Sequence, residues 1–476
     1  MNRFRFAPSP TGHLHIGTLR TALFNVMARE AMGGVVVLRI EDTDLARSDR
    51  SYEQGIYDGL AWLGLTMDEG PEMGGLVGPY RQSERLARYR EVAEQLVASG
   101  HAYRCVCTDL ELEAERAQAE AAKRPYIYSG RCRGAGVQAD DGRPSVIRFA
   151  MPVGRQWHFQ DVVRGEIVFD GDLLGDFVML KSDGTPSYNF AVVVDDRDMG
   201  ITMVIRGEDH ISNTPKQMAL YEALGAASPQ FAHLPMILGS DKSKLSKRHG
   251  ATSVIAYREM GVLPEALLNQ LMLLGWSDPH GRDVMSWAEM VAVFSLDRVT
   301  KSGAVFDPEK LKSLNGHYIR RLPDDQLVDH VMPYLTDALM ASLGYPGRDR
   351  LLAMLVSVRD NVHFLTEFES YLQVYAHSDE WVGSVLQGLP EGSLEPLVVS
   401  GLAGWVSSQT DWTASALDRS LGEWVSGLGI PKGKGFKSVR WVLTGQATGP
   451  HLGQWMAVIG PVQLGNRVSM MMRRMG

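Results

Sequence analysis

With 476 residues, 45% of them hydrophobic, and a formal net charge of −8, the chain is too long for one compact core and has the content for two to four. No run approaches the roughly 18 consecutive apolar residues that span a bilayer, and Met1-Asn2-Arg3-Phe4-Arg5 leads into Pro and Gly rather than an apolar leader, so a soluble, cytoplasmic protein is expected. The acidic balance neither supports nor excludes a nucleic-acid partner, because phosphate rewards local positive patches and not the charge of the whole.

Residues 2–6 alternate basic and aromatic side chains as a strand does, Pro8, Pro10 and Gly12 break it, and residues 14–30 carry helical spacing. Gly33-Gly34 precede Val35-Val36-Val37-Leu38-Arg39-Ile40, a run of the kind buried on both faces of a parallel sheet, which ends in Glu41-Asp42-Thr43-Asp44. Residues 1–100 are therefore expected to form the first half of a doubly wound α/β domain. Over 101–181 the character changes to Cys-containing turns, a charged helical stretch (109–123) and short strands such as Ser145-Val146-Ile147-Arg148-Phe149, which reads as an insertion. All 3 Cys fall between Cys105 and Cys132, against a disulfide scaffold and for one local metal or thiol cluster.

The α/β pattern resumes over 182–255 with the strand-like apolar runs Phe190-Ala191-Val192-Val193-Val194-Asp195-Asp196 and Met203-Val204-Ile205-Arg206, then a helix over 214–224. Beyond residue 307 strand-like runs become scarce, while 324–343 and 348–364 have helical spacing and caps, so 256–320 and 321–476 are read as helical regions. The chain shows no internal repeat or low-complexity tract.

Two segments carry chemistry. Phe6-Ala7-Pro8-Ser9-Pro10-Thr11-Gly12-His13-Leu14-His15-Ile16-Gly17 is a Pro/Gly loop that brings His15 and the Gly17 backbone to a helix start, whose free N–H groups and positive dipole end suit nucleotide phosphates. By itself it also suits an ordinary strand-to-helix turn. Asp241-Lys242-Ser243-Lys244-Leu245-Ser246-Lys247-Arg248-His249-Gly250 packs cations on a Ser/Gly loop able to close over a triphosphate; alone, a solvated basic surface loop is the simpler reading.

As an ordered pair these segments resemble the two signatures of class I aminoacyl-tRNA synthetases, the HIGH motif as His15-Ile16-Gly17-Thr18 and the KMSKS motif as Lys244-Leu245-Ser246-Lys247-Arg248. Arg5-Phe6-Ala7-Pro8-Ser9-Pro10-Thr11-Gly12, Arg39-Ile40-Glu41-Asp42-Thr43-Asp44, Tyr188-Asn189-Phe190 and Ile205-Arg206-Gly207-Glu208-Asp209-His210 narrow the resemblance to the bacterial glutamyl-tRNA synthetases, nearly end to end. The resemblance implies a Rossmann-type catalytic domain in two halves (1–100 and 182–255), an inserted acceptor-binding domain (101–181), a stem-contact helical region (256–320) and an all-helical anticodon-binding region (321–476).

It further implies that Arg5 and Arg206 lie around the glutamate carboxylates, a role that suits a planar guanidinium, with Glu41 holding the ammonium, Ser9 a hydroxyl contact, and Ala7 and Tyr188 lining the pocket. His15, Gly17, Lys244 and Lys247 would contact ATP, with His15 and the two lysines stabilising charge on the phosphates and Mg²⁺ assisting. The implied substrates are ATP, L-glutamate and tRNA(Glu), with tRNA(Gln) open; attack by the 2′-hydroxyl, a first step that needs bound tRNA, and a monomeric state also follow only from the resemblance.

Cys105-Val106-Cys107 and Tyr128-Ser129-Gly130-Arg131-Cys132 supply three soft ligands, and one more would complete a tetrahedral structural Zn²⁺ site. They resemble the zinc-binding segment of some family members. Where some relatives carry a His two residues after the last Cys this chain has Gly134, so Tyr128 is the candidate fourth ligand and His101 its rival. Three reduced thiols without metal are the alternative.

From Pro431 onward there is no Asp or Glu, and Lys432, Lys434, Lys437, Arg440, Arg467, Arg473 and Arg474 suggest a phosphate-facing patch. Leu311-Lys312-Ser313-Leu314-Asn315-Gly316 and Leu443-Thr444-Gly445 resemble landmarks of the helical regions, although many relatives carry Trp at the position of Ser313. A glutaminyl enzyme fits the Arg5 context less well, and the shortened paralogue that glutamylates queuosine lacks the helical C-terminal region. A non-catalytic paralogue would have little reason to keep Arg5, His15, Gly17, Glu41, Arg206 and Lys247.

Overall fold

The computed structural model describes residues 1–44, 46–138, 142–376, 390, 392–446 and 448–475; the side chains of Lys247, Arg474 and Met475 lie outside that description. The chain forms two units, Met1–Tyr257 with Leu268–Asp307, and Arg258–Leu267 with Pro308–Gly476. No helix among the described residues is long and apolar enough to cross a membrane.

In the first unit, strand Arg3–Phe6 pairs in parallel with Val35–Leu38, Arg3 opposite Val35, and helix Ile16–Met32 makes the crossover that a parallel pair requires. The chain re-enters the sheet at Gly34 (φ 130), where a Cβ would lie 2.2 Å from the Asn2 carbonyl oxygen, so only glycine fits. Strand Met203–Gly207 lies on the other side of Arg3–Phe6, where the Thr202 N–H donates to the Arg3 carbonyl at 3.0 Å, and it pairs in parallel with Gln230–Leu234. Segments about two hundred residues apart thus become neighbours, and the carboxyl ends of Arg3–Phe6 and Met203–Gly207 open together, where parallel α/β sheets hold their ligands.

The intervening residues build an antiparallel sheet with Val146–Phe149 between Ala102–Cys105 and Phe177–Leu180. A hairpin, Gln156–Asp161 with Gly165–Asp170, is joined to the parallel sheet by Asp161 opposite Phe231. Its first strand alternates exposed residues with buried Trp157, Phe159 and Asp161. The charged stretch forms helix Asp109–Ala121, started by a Thr108–Glu111 capping box and burying only Ala119.

One apolar run departs from its expected conformation. Residues 190–196, which read as a strand, form the middle of helix Tyr188–Asp198. Phe190 to Asp196 are all buried, and periodicity cannot separate a helix buried on every side from a buried strand.

In the second unit the described residues form helices and no strand. Asn315, within helix Pro308–Arg321, is fully buried and staples three segments: its amide donates to the Gly261 and His363 carbonyls at 3.2 and 2.6 Å, and its oxygen accepts from the Leu263 N–H at 2.7 Å. Helices Pro396–Ser407, Ala414–Gly427, Lys432–Thr444, Leu452–Ile459 and Pro461–Met475 follow. Lys432, Lys434, Lys437 and Arg473 are exposed, as a phosphate-facing patch requires. Arg467 is not part of such a patch: it is 2% exposed and donates to the Val374 and Leu443 carbonyls at 2.6 and 2.8 Å and to that of Ala376, and burial lowers its pKa to about 9. Arg440 is half-buried and donates to the Pro450 carbonyl at 2.7 Å; the Arg474 side chain lies outside the described residues.

Candidate active site

A cleft of about 600 Å³ opens at the carboxyl ends of the parallel strands and gathers Arg5, Ala7, Ser9, Glu41, Tyr188 and Arg206 with His15, Gly17 and Lys244, residues spread over most of the first unit.

At the deep end, Arg206 is held at the end of its strand, 4% exposed. Its Nε donates to His233 Nε2 at 3.1 Å and its Nη2 to Thr214 Oγ1 at 2.8 Å. Nη1 is buried with no hydrogen-bond partner among the described residues, although the Tyr188 hydroxyl is near enough to act on its charge. A buried unpaired donor costs about 1–3 kcal/mol, more when charged, and a carboxylate in the cleft would relieve that cost. Arg5, 4% exposed, donates to Asp196 Oδ2 at 3.4 Å and to the Ile205 carbonyl at 3.3 Å.

Beneath them Arg39, fully buried, reaches Asp196 at 2.5 Å and Glu41 at 3.0 Å, and Asp195 takes Arg85, Gln82 and Tyr89 at 2.7 to 2.9 Å. Burial would push the Asp196 carboxyl up, but Arg39, Arg5 and Arg206 hold it below the ordinary range. For Glu41 burial outweighs Arg39 and Arg5, so its pKa is raised, and a substrate ammonium beside it would favour the ionised form. The 37% exposure of Tyr188 faces the open cleft; its hydroxyl lies near Arg206, Glu41 and Arg5, where burial raises its pKa.

At the shallow end, His15 caps helix Ile16–Met32 by accepting the Gly17 N–H on Nδ1 at 3.1 Å. Burial and then Lys244 lower its pKa, so the ring is neutral at pH 7, with its proton on Nε2. The segment after the basic loop is tied to this helix start: the Ile16 N–H donates to the Thr252 carbonyl at 2.9 Å and the Val254 N–H to the Leu14 carbonyl at 3.0 Å. Within the loop, Asp241 accepts from Ser243 and Arg248, and Lys244 Nζ stands 3.6 Å from Asp209. The Lys244 side chain is 69% exposed. Lys247 begins the 3₁₀ turn Lys247–His249, and its side chain lies outside the described residues.

Glu208, Asp209 and His210 also line the cleft, although the motif that contains them carries no role for them in the sequence. Glu208 accepts the Met236 N–H at 2.6 Å and pairs with Arg164, bracing one wall; the His210 ring lies 5.3 Å from that of Tyr188. Their position directly after Arg206 at a strand's carboxyl end is the signal that could have found them.

Away from the cleft, the sulfurs of Cys105, Cys107 and Cys132 lie within 4.8 Å of one another. The Tyr128 hydroxyl stands 3.4 Å from Cys105 Sγ and 3.3 Å from Cys107 Sγ, and its ring is covered by the Arg148 guanidinium at 4.0 Å. The set fits a tetrahedral ion with sulfur distances of about 2.3 Å after slight contraction. His101 is exposed, bonds Ser99 Oγ at 3.0 Å and does not belong to the group.

A family model described as tRNA synthetases class I (E and Q), catalytic domain, matches residues 2–313, and one described as Anticodon binding domain matches residues 326–472. The glutamate–tRNA ligase of Heliobacterium modesticaldum is 44% identical over 478 residues, covering 98% of this chain and 96% of that one. That of Aquifex aeolicus is 43% identical over 473 residues, covering 98% and 97%. A crystal structure of a glutamate tRNA ligase from Elizabethkingia meningosepticum in complex with its amino acid superposes with a TM-score of 0.87 at 32% identity, over 100% of both chains. A Rossmann-like α/β catalytic domain followed by a helical anticodon-binding domain, carried at this identity over nearly the whole length, means that the chain belongs to the glutamate–tRNA ligases of the class I (E and Q) tRNA synthetases.

Proposed function

We propose that this ligase joins the α-carboxylate of L-glutamate to the α-phosphorus of ATP and then passes the glutamyl group to a ribose hydroxyl of the 3′-terminal adenosine of tRNA(Glu), with tRNA(Gln) a second acceptor to be tested. The observation that carries this reading is the buried, unpaired Nη1 of Arg206, set in one cleft with Arg5, Ser9 and Glu41 and opening toward His15 and Lys244.

Arg206 and Arg5 read the carboxylates, Glu41 balances the ammonium, Ser9 supplies a hydroxyl contact, and Ala7 and Tyr188 leave and line the space. A carboxylate oxygen of glutamate attacks the α-phosphorus; the new O–P bond forms as the bond to the bridging oxygen breaks and its electron pair leaves on pyrophosphate. The neutral His15 donates from Nε2 to a phosphate oxygen, the positive end of helix Ile16–Met32 faces the same charge, and Lys244 and Lys247 neutralise the leaving group. The tRNA hydroxyl then attacks the adenylate carbonyl and AMP leaves. No side chain becomes covalently attached. Mg²⁺ would supply charge neutralisation on the phosphates.

Cys105, Cys107, Cys132 and the Tyr128 hydroxyl would hold a structural Zn²⁺, which clamps the 105–132 loops and has no part in the reaction. Residues 101–181 are assigned to the acceptor end of the tRNA, 256–320 to its stem and 321–476 to its anticodon, and the protein to the cytoplasm as a monomer.

The test is ATP-dependent attachment of labelled glutamate to tRNA(Glu) and tRNA(Gln) separately. Charging of tRNA(Glu), lowered by orders of magnitude in Lys247→Ala with tRNA affinity retained, is expected. No charging of either tRNA with binding intact would overturn the reading. Elemental analysis should find about one Zn per chain, and a metal-free, folded and active protein would refute the zinc assignment.

A further inference from the structure

Asp161 ends the first strand of the hairpin, fully buried. One carboxylate oxygen accepts the N–H groups of Val163, Arg164 and His233 at 3.0, 2.8 and 3.3 Å, and the other stands 2.6 Å from His233 Nδ1. A carboxylate only accepts, so Nδ1 carries the proton and Nε2 is left as the acceptor that takes Arg206 Nε–H at 3.1 Å. Burial, outweighing Asp161, lowers the pKa of His233 and keeps the ring neutral in this single tautomer. Thr214 Oγ1 takes Nη2. With two of its three nitrogens committed the guanidinium is held in one orientation, and Nη1 is left without a hydrogen-bond partner among the described residues.

We propose that Asp161, at the hairpin turn, and His233, on the strand Gln230–Leu234, are positioning residues that set the orientation of the Arg206 fork, and through it the affinity for glutamate, without lining the cleft themselves. The same turn carries Arg164, which pairs with Glu208, so one loop sets both the Arg206 fork and the Glu208 wall of the cleft. The inference rests on Arg206 holding a glutamate carboxylate.

Asp161→Asn tests it sharply. Three backbone N–H groups keep the amide oxygen where Oδ1 was, so the NH₂ faces His233 Nδ1 and forces the proton to Nε2, where it meets Arg206 Nε–H donor to donor. In steady-state charging by the full chain, KM for glutamate is expected to rise about 30-fold or more while KM for ATP moves less than about threefold. At position 233, Gln keeps an acceptor where Nε2 was and Asn does not, so His233→Gln should stay within about fivefold of the parent KM and His233→Asn should lose about 30-fold, at matching thermal midpoints. Equal losses in Gln and Asn, or a parallel rise in KM for ATP, would mean a merely structural role and overturn the inference. If Arg206→Ala leaves KM for glutamate unchanged, the underlying reading falls; if Arg206→Ala raises it but Asp161→Asn and His233→Asn do not, the positioning inference alone falls. Should Asp161→Asn not fold, the Gln and Asn pair decides.

Discussion

At the deep end of the cleft Arg5 and Arg206 are each 4% exposed and anchored by neutral or anionic partners; at the shallow end the Lys244 side chain is 69% exposed, on a loop whose Arg248 is 65% exposed. The difference suits the ligands proposed for the two ends. A small carboxylate has one correct position, and a guanidinium already desolvated and fixed before binding loses little further freedom on meeting it. A triphosphate changes shape and charge as it reacts, and compact cations on flexible stems follow that change at lower positional precision.

The largest effect should come from breaking the buried end. Arg206→Met removes a desolvated cation while keeping its volume, and is expected to cost about 3–5 kcal/mol in kcat/KM for glutamate, roughly 10²–10⁴-fold, with ATP affinity retained. A comparable rise in KM for ATP would blur the division between the two ends.

His15 sits at their junction and combines two roles that substitution separates. His15→Asn keeps a cap acceptor for the Gly17 N–H but withdraws the reach of Nε2, so charging should fall about 10²-fold at unchanged stability. His15→Ala should show the same loss and in addition about 1 kcal/mol less stability in urea. Equal stability of the two variants would mean the cap contributes nothing.

At the exposed end, Lys244→Ala should raise KM for ATP about five- to tenfold, an effect that shrinks with added salt because solvated charges are screened within about 10 Å at 0.1 M. Insensitivity to salt would place Lys244 in a desolvated contact when ATP is bound and erase the contrast between the two ends of the cleft.

The smallest effect concerns pH. Burial, then Arg206, lowers the pKa of His210 from 6.5 to about 4. Between those values the unfolded chain binds the proton and the folded one does not, so this contribution to stability is complete above pH 6.5 and is lost as pH falls toward 4. Urea midpoints should therefore decline over that window, and His210→Gln should flatten part of the decline. Asp161 and Asp196, whose pKa values are depressed, add their own losses only below the ordinary carboxylate value of 3.8.

Much of the site is legible because its residues stand beside chain-breaking signals. Ser9 and His15 lie in a Pro/Gly loop, Glu41 follows the end of a β-branched run, and Lys244 sits among cations; each local pattern announces a strand end or a helix start. The Cys triad is legible from its clustering. Residues 190–196 mislead because their apolar run has no period, and the acids that close it, Asp195 and Asp196, are buried beneath Arg5, Arg39 and Arg85 and not exposed at a strand end. Arg467 misleads for the opposite reason: among exposed Lys residues its charge counts as surface, yet its fork spans three backbone carbonyls in the interior.

By itself the sequence determines the order of strand, loop and helix around each motif, the chemical types available for phosphate, carboxylate and metal, and the change from α/β to helical character. The pairing of Asp161 with His233, 72 positions apart, and of both with Arg206 was decided only by tertiary structure. Local propensity places a residue on an element, whereas a hydrogen-bonded relay needs three side chains set to a few tenths of an ångström, and that precision comes from the register of Asp161 opposite Phe231 and of Arg206 opposite His233.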